Sequence, residues 1–273
     1  MSVGVLYIVA TPIGNLEDIT LRALRKLKEV DVIAAEDTRH SLKLLNHYGI
    51  KKRLISCWSQ TQKKVSKEIF NILRSGLDVA LITDAGTPTI SDPGSYIVSE
   101  ALKEGIKVIP IPGCSALVTA LSVSGIKTSE FTFIGYLPPK RSERIRLLQD
   151  ISHLRMTLIF YEAPHRLIDM ITDLSEVFGN RYIVVAKEMT KIHEEFIRGR
   201  ASEVIQYLNS QTIAGEYVII SEGCSENKID INSVLKEALD LVKDGMSRKE
   251  ASKLVSQRYG LKSKDIYDMT IKR

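Results

Sequence analysis

Four short polar stretches each follow an apolar run: ATPIGN at 10–15, AAEDTRH at 34–40, TDAGTP at 83–88 and PIPGCSA at 110–116. Their residue types suit ligand chemistry. Carboxylates take up protons or balance a cation, an arginine grips a phosphate, and a glycine without Cβ lets a ligand lie against the backbone. The third stretch continues as TDAGTPTISDPG, with two Asp, two Gly and two Pro in twelve residues. Such residues also make plain surface turns, but α/β connections usually take about 2 to 6 residues. A longer one at a strand's carboxyl end is where these folds build ligand sites. Other site types are excluded. The chain has no GxxxxGK[ST], no GxGxxG after a strand, no HExxH or comparable spacing among His40, His47, His153, His165 and His193, and no serine nucleophile elbow. Chemistry without a metal or a covalent intermediate is the expectation.

The elements that must carry these stretches alternate. VGVLYIVA, DVIAAED, RLISC, DVALIT and KVIPIP read as strands, separated by helices through DITLRALRKL (with Asp18 as N-cap), a segment ending near Gly49, KEIFNILRSG and YIVSEALKEG. GCSALVTALSVSG closes this half as an apolar helix. The rhythm predicts a parallel sheet covered on both faces, so that all four polar stretches open on one side. After Gly125–Ser129 a second α/β unit begins. FTFIGYL, TLIFYEA, RYIVVAKEM, EEFIRGR and EYVIISEG read as strands and HRLIDMITDLSEVFG as a helix; a hairpin of VAKEM with EEFIRG would make this sheet mixed. From Asp230 onward the pattern is helical. A Ser247/Glu250 capping box, a Gly260 stop and a helix from Ser263 are expected. The domains are therefore 1–127, 128–227 and 228–273.

Length and charge agree with this division. The 273 residues are enough for about two domains of ~150 residues. No apolar run reaches ~18 residues and no signal-peptide pattern is present, so a cytoplasmic protein without a membrane partner is expected. Three cysteines in no CxxC pair argue against disulfides and structural zinc. Residues 228–273 carry 11 Lys and Arg against 7 Asp and Glu, a net +4 of the chain's +5. A basic appendage on a near-neutral body points to a polyanion partner.

YIVATPIGNLEDIT, AAEDTRHSLKLL, TDAGTPTISDPG, FYEAPHRL, KEMTKIHEEFIRG and GEYV together resemble the tetrapyrrole methylase superfamily. Within it they are similar to the bacterial enzymes that 2′-O-methylate a decoding-region cytidine of 16S ribosomal RNA. The likeness spans nearly the whole chain. It departs at SCWSQTQKK (56–64), where such enzymes tend to carry a His/Asn-containing stretch, and at Ala10, where Pro is frequent. The resemblance implies two α/β domains with a cofactor cleft between them and a small C-terminal helical domain. It also implies S-adenosylmethionine as cofactor, a homodimer, and small-subunit ribosomal RNA or the small subunit itself, not DNA, as partner. By the same resemblance Pro12, Asp84, Ala85, Gly86, Thr87, Gly113, Ser115, Ala116, Tyr161, Met189 and Gly215 line the cofactor site.

A ribose hydroxyl needs a base. Glu36, Asp37, Glu162, Lys187 and Glu188 are the candidates, with Arg39 on a phosphate and Asp37 or Glu36 orienting the hydroxyl. The plain alternatives are an Asp37–Arg39 pair closed on itself and a Lys187–Glu188 ion pair. Asp84 could equally cap its own turn, and His165 and His193 read as caps. Phosphate contacts are expected from Arg39, Lys140, Arg141, Arg144, Arg248, Lys249, Lys253, Lys262 and Lys264, and Trp58 could stack on an unpaired base. Two other functions fit parts of the pattern: methylation of a corrin or porphyrin precursor, and a non-catalytic RNA-binding assembly factor.

Overall fold

The computed structural model describes residues 3–58, 62–225 and 231–271. The chain divides into two compact units, one of Met1–Ala120 with Glu188–Glu195, the other of Leu121–Lys187 with Phe196–Arg273. The expected boundary at 227/228 lies outside the described residues, as does the centre of the SCWSQTQKK stretch.

The first unit alternates β1 (Leu6–Val9), α1 (Leu21–Glu29), β2 (Val32–Ala35), α2 (Thr38–His47), β3 (Arg53–Ser56), α3 (Gln62–Arg74), β4 (Val79–Ile82), α4 (Ser95–Lys103), β5 (Val108–Ile111) and α5 (Ala116–Ser122). Its sheet runs β3-β2-β4-β1-β5 with every pairing parallel. Neighbouring strand residues point to opposite faces, and the two faces make two cores. Leu6, Val32, Ala34, Val79 and Leu81 pack with Ile69, Leu73, Ile97 and Ala101 of α3 and α4. Val9, Ile33, Ala35, Ala80 and Ile82 pack with Ala23, Leu27, Leu44 and Leu45 of α1 and α2. Burial on both faces explains why these strands are continuously apolar rather than alternating.

One local reading is corrected. Asp18 does not cap α1: it belongs to a 3-10 turn, Leu16–Asp18, that Asn15 caps. Thr20 takes the role instead, its Oγ1 accepting from the Ala23 N–H at 3.1 Å. Residues 19 and 20 are extended, so the helix starts two positions later than Asp18 would require.

The second unit contains β6 (Phe131–Tyr136), α6 (Arg141–Ile151), β7 (Thr157–Glu162), α7 (Leu167–Phe178), β8 (Tyr182–Lys187), β9 (Glu195–Arg200), α8 (Ala201–Asn209) and β10 (Tyr217–Ser221). The order β6-β7-β10-β8-β9 makes β8 and β9 sheet neighbours. With β6 parallel to β7, and β10 antiparallel to both β7 and β8, the sheet is mixed. Helix α6 is absent from the elements read in the sequence; its Leu148 is buried in the core of this unit, with Leu147 and Ile151 packed against it. Three helices follow, α9 (Ile231–Lys243), α10 (Arg248–Tyr259) and α11 (Ser263–Ile271), around Val234, Ala238, Val255 and Ile266. Ser247 and Glu250 form the capping box, and Gly260 ends α10 with φ +64°. Among the described residues no helix is long and apolar enough to cross a membrane.

Candidate active site

The polar stretches of the first unit are tied to one another by backbone. Thr11 and Gly86 exchange N–H···O bonds of 2.9 and 3.0 Å, and Thr11 Oγ1 donates to the Thr83 carbonyl at 3.1 Å. Thr87 Oγ1 donates to the Cys114 carbonyl at 2.9 Å. The ends of β1, β4 and β5 thus form one rigid rim. Two glycines are required there. Gly86 has φ +85°, and a Cβ on Gly113 would stand 2.9 Å from the Ala10 Cβ. The TDAGTPTISDPG loop also holds Thr89 at φ +78° and Ser91 at φ +64°. Non-glycine residues persist in that region only where their surroundings impose it, which marks a built loop and not a floppy turn.

Three carboxylates gather on this rim. The Asp37 N–H donates to Asp84 Oδ1 at 3.2 Å, linking β2's end to β4's. Glu36 has its carboxyl raised by burial and then by the Asp84 charge. Asp92, absent from the sequence-derived candidates, is pushed up to about 7 by burial and by the charges of Glu36 and Asp84. Its signal lies inside the TDAGTPTISDPG loop, but SDPG reads locally as a turn, and only folding brings it near Glu36.

Asp37 behaves differently. It caps α2, accepting from the Arg39 N–H at 2.8 Å, and pairs with the Arg39 guanidinium at 2.8 Å. These bonds hold its carboxyl down to about 2. Asp37 and Arg39 thus form the self-closed local pair, although the Arg39 side chain stays 87% exposed.

The segment Glu188–Glu195 belongs to the first unit and packs on the TPIGN turn. A Cβ on Gly14 would meet Lys191 Cγ at 2.6 Å and Thr190 Oγ1 at 2.7 Å, so any side chain there would push these two aside. Lys191 pairs with Glu188 at 2.9 Å, Glu194 accepts the Thr190 N–H at 2.7 Å, and both Glu188 and Thr190 have positive φ. Met189 is buried, whereas His193 is exposed. Pro12 is buried too; Ala85 is exposed, and Ser115 and Ala116, at the start of α5, are half-buried.

In the second unit Glu162 ends β7 buried. It accepts the Ala163 N–H at 2.9 Å and faces Arg166 at 3.2 Å, and burial raises its carboxyl. Tyr161 packs edge-on to Phe133 and Tyr136. Lys187 closes β8 opposite Tyr217, and Gly215 has φ +94°.

The phosphate-contact set needs correction at Arg144, which is 5% exposed and pairs with buried Asp173 at 2.6 Å. Arg141 shares Asp173 and adds Glu176 at 2.7 Å. Folding Arg144 against α7 removes it from solvent and from any RNA. Lys140, Arg248, Lys249, Lys253, Lys262 and Lys264 are exposed, as is Trp58.

Comparison with known proteins accords with this geometry. Residues 5–205 match the family described as Tetrapyrrole (Corrin/Porphyrin) Methylases. The chain belongs to the tetrapyrrole methylase family. This tetrapyrrole methylase is 46% identical to Ribosomal RNA small subunit methyltransferase I of Halalkalibacterium halodurans, over 97% of this chain and 94% of the relative. The Thermotoga maritima protein of the same name is 47% identical over 81% of this chain and 99% of its own length. Among solved structures, uroporphyrin-III C-methyl transferase from Thermus thermophilus, complexed with S-adenyl homocysteine, shares the fold. Its TM-score is 0.56 at 18% identity, covering 80% of this chain and 97% of that one.

Proposed function

We propose that this tetrapyrrole methylase uses S-adenosylmethionine to methylate small-subunit ribosomal RNA, placing the methyl on the 2′-hydroxyl of a cytidine in the decoding region. The observation that carries the reading is identity of 46% over almost the entire chain to a ribosomal RNA small subunit methyltransferase. We further infer work in the cytoplasm as a homodimer, the state the family resemblance implies.

When bound, S-adenosylmethionine supplies a methyl group on a positively charged sulfur. The residues present suit such a ligand. Gly86, at φ +85°, and Gly113, close against Ala10, keep the rim tightly packed, and Asp84, Glu36 and Asp92 put negative charge on it. Pro12, Thr87, Ser115, Ala116 and Met189 complete the proposed cofactor set in this unit.

The acceptor hydroxyl must lose its proton, and the carboxylates differ in fitness for that. Asp37 is tied to Arg39, Glu188 to Lys191, and Glu162 is buried against Arg166. Asp92, pushed up to about 7 beside Glu36 and Asp84, is the carboxyl poised near working pH, and we assign proton removal to it. The rigid rim supplies alignment, which counts heavily in an in-line displacement. Arg39 stays exposed to hold a phosphate.

Incubating the protein with labelled S-adenosylmethionine and small ribosomal subunits that lack their methyl groups, then digesting to nucleosides for mass spectrometry, tests the reading. Labelled 2′-O-methylcytidine is the expected product. Transfer to a porphyrin or corrin precursor with none to subunits would overturn it.

A further inference from the structure

A cavity of about 240 Å³ opens in the first unit between the turn after β1, helix α2 and the end of β4. Pro12, Leu16 and Leu44 give it apolar walls, and Ser41, Thr83 and Asp84 give it polar ones. Ser41 and Thr83 are each 2% exposed, and the hydroxyl of each lacks a hydrogen-bond partner. Buried hydroxyls are ordinarily bonded, and neighbouring Thr11 obeys the rule by donating to the Thr83 carbonyl. Ser41 and Thr83 both line the cavity and both hydroxyls lack a partner within the fold, so a polar ligand bound there would satisfy them.

We infer that this cavity is the subsite for the nucleoside that accepts the methyl group, its base edge hydrogen-bonded by Ser41 and Thr83. Lining sets it beside the cofactor and not around it, because of the proposed cofactor set only Pro12 and Asp84 reach it. Charge argues the same way. Lys43 and His40 line the cavity and are exposed, which suits a strand of phosphates and not a sulfonium. A base turned out of its stack fits the composition: its flat faces meet Pro12, Leu16 and Leu44. Each hydroxyl both donates and accepts, as the amino and carbonyl groups of cytosine require. Asp84 belongs to this cavity and to the acid cluster, so the nucleoside lies next to the carboxylates that take its proton.

This inference rests on the RNA methyltransferase reading, and the test separates the two. Full-length wild type, Ser41→Ala, Thr83→Val and Thr83→Ser are assayed with unmethylated small subunits for kcat and KM, and by calorimetry for S-adenosylhomocysteine affinity. Wild type must first transfer methyl to the subunits; if it does not, the function reading itself fails. Ser41→Ala and Thr83→Val should each lower kcat/KM for subunits by about tenfold, the worth of one lost hydrogen bond, with S-adenosylhomocysteine Kd changed by less than about twofold. Thr83→Ser, which keeps the hydroxyl, should recover most of the loss. Melting temperatures should not fall, because removing an unpartnered buried hydroxyl leaves nothing unsatisfied. A Kd that weakens in step with kcat/KM would assign the cavity to the cofactor. Unchanged kinetics and Kd would leave it a water-filled space, and either result overturns the inference.

Discussion

Asp37 and Asp92 both follow strands of the parallel sheet, yet their surroundings drive them in opposite directions. Arg39 holds Asp37 down to about 2, while burial beside Glu36 and Asp84 lifts Asp92 to about 7. Because the acids influence one another, that upper value belongs to the cluster as a whole. A base must be ionised to work, so kcat/KM should rise with pH through about 7 and level off above it. Asp92→Asn should lower kcat by about 10²-fold or more and abolish that limb of the profile. The same residue also makes a stability prediction. A carboxyl whose folded value lies above its unfolded one holds more protons when folded, so folding stability declines as pH rises from about 4 to 7. Asp92→Asn should therefore raise the melting temperature at about pH 8 and leave it nearly unchanged near pH ~4. Equal effects at both pH values would show that the substitution acts through packing.

At the level of elements, what can be read from sequence is what repeats locally. Continuous apolar runs between amphipathic helices identify a parallel sheet, because each strand must be apolar on both faces. The Ser247/Glu250 box and the Gly260 stop carry their own capping chemistry over a few residues. Longer-range features are not legible. Asp18 looks like a cap until Asn15 starts a 3-10 turn around it, and RSERIR looks like exposed charge until Asp173, distant in the chain, claims Arg144. The site divides in the same way: strand-end stretches announce the rim, but Asp92, Ser41 and Thr83 gain meaning only from neighbours on other elements. Arg144 offers a direct check. Removing it leaves Asp173, 2% exposed, with part of its charge uncompensated. Arg144→Ala should cost about 3 kcal/mol or more of stability in denaturant unfolding, with no change in the salt dependence of RNA binding. A stable variant with a shallower salt slope would return Arg144 to the phosphate contacts.

For the molecule as a whole, the question is what the C-terminal helices add. The family match ends at residue 205, and a relative named for the same enzyme is spanned almost completely by 81% of this chain. Helices α9–α11 lie beyond the family match, and we propose that they capture the RNA. Their charge suits that role, since Arg248, Lys249, Lys253, Lys262 and Lys264 all face solvent on a body that is otherwise near neutral. Each phosphate contact contributes roughly 0.7 to 0.9 to the slope of log affinity against log salt. Replacing Lys249, Lys253 and Lys264 together by Glu should raise KM for small subunits and flatten the salt dependence by about two units or more. S-adenosylhomocysteine affinity and kcat at saturating subunit should hold. A fall in kcat at unchanged KM would mean that the helices shape the reacting geometry, and unchanged kinetics at every salt concentration would mean that the RNA does not touch them.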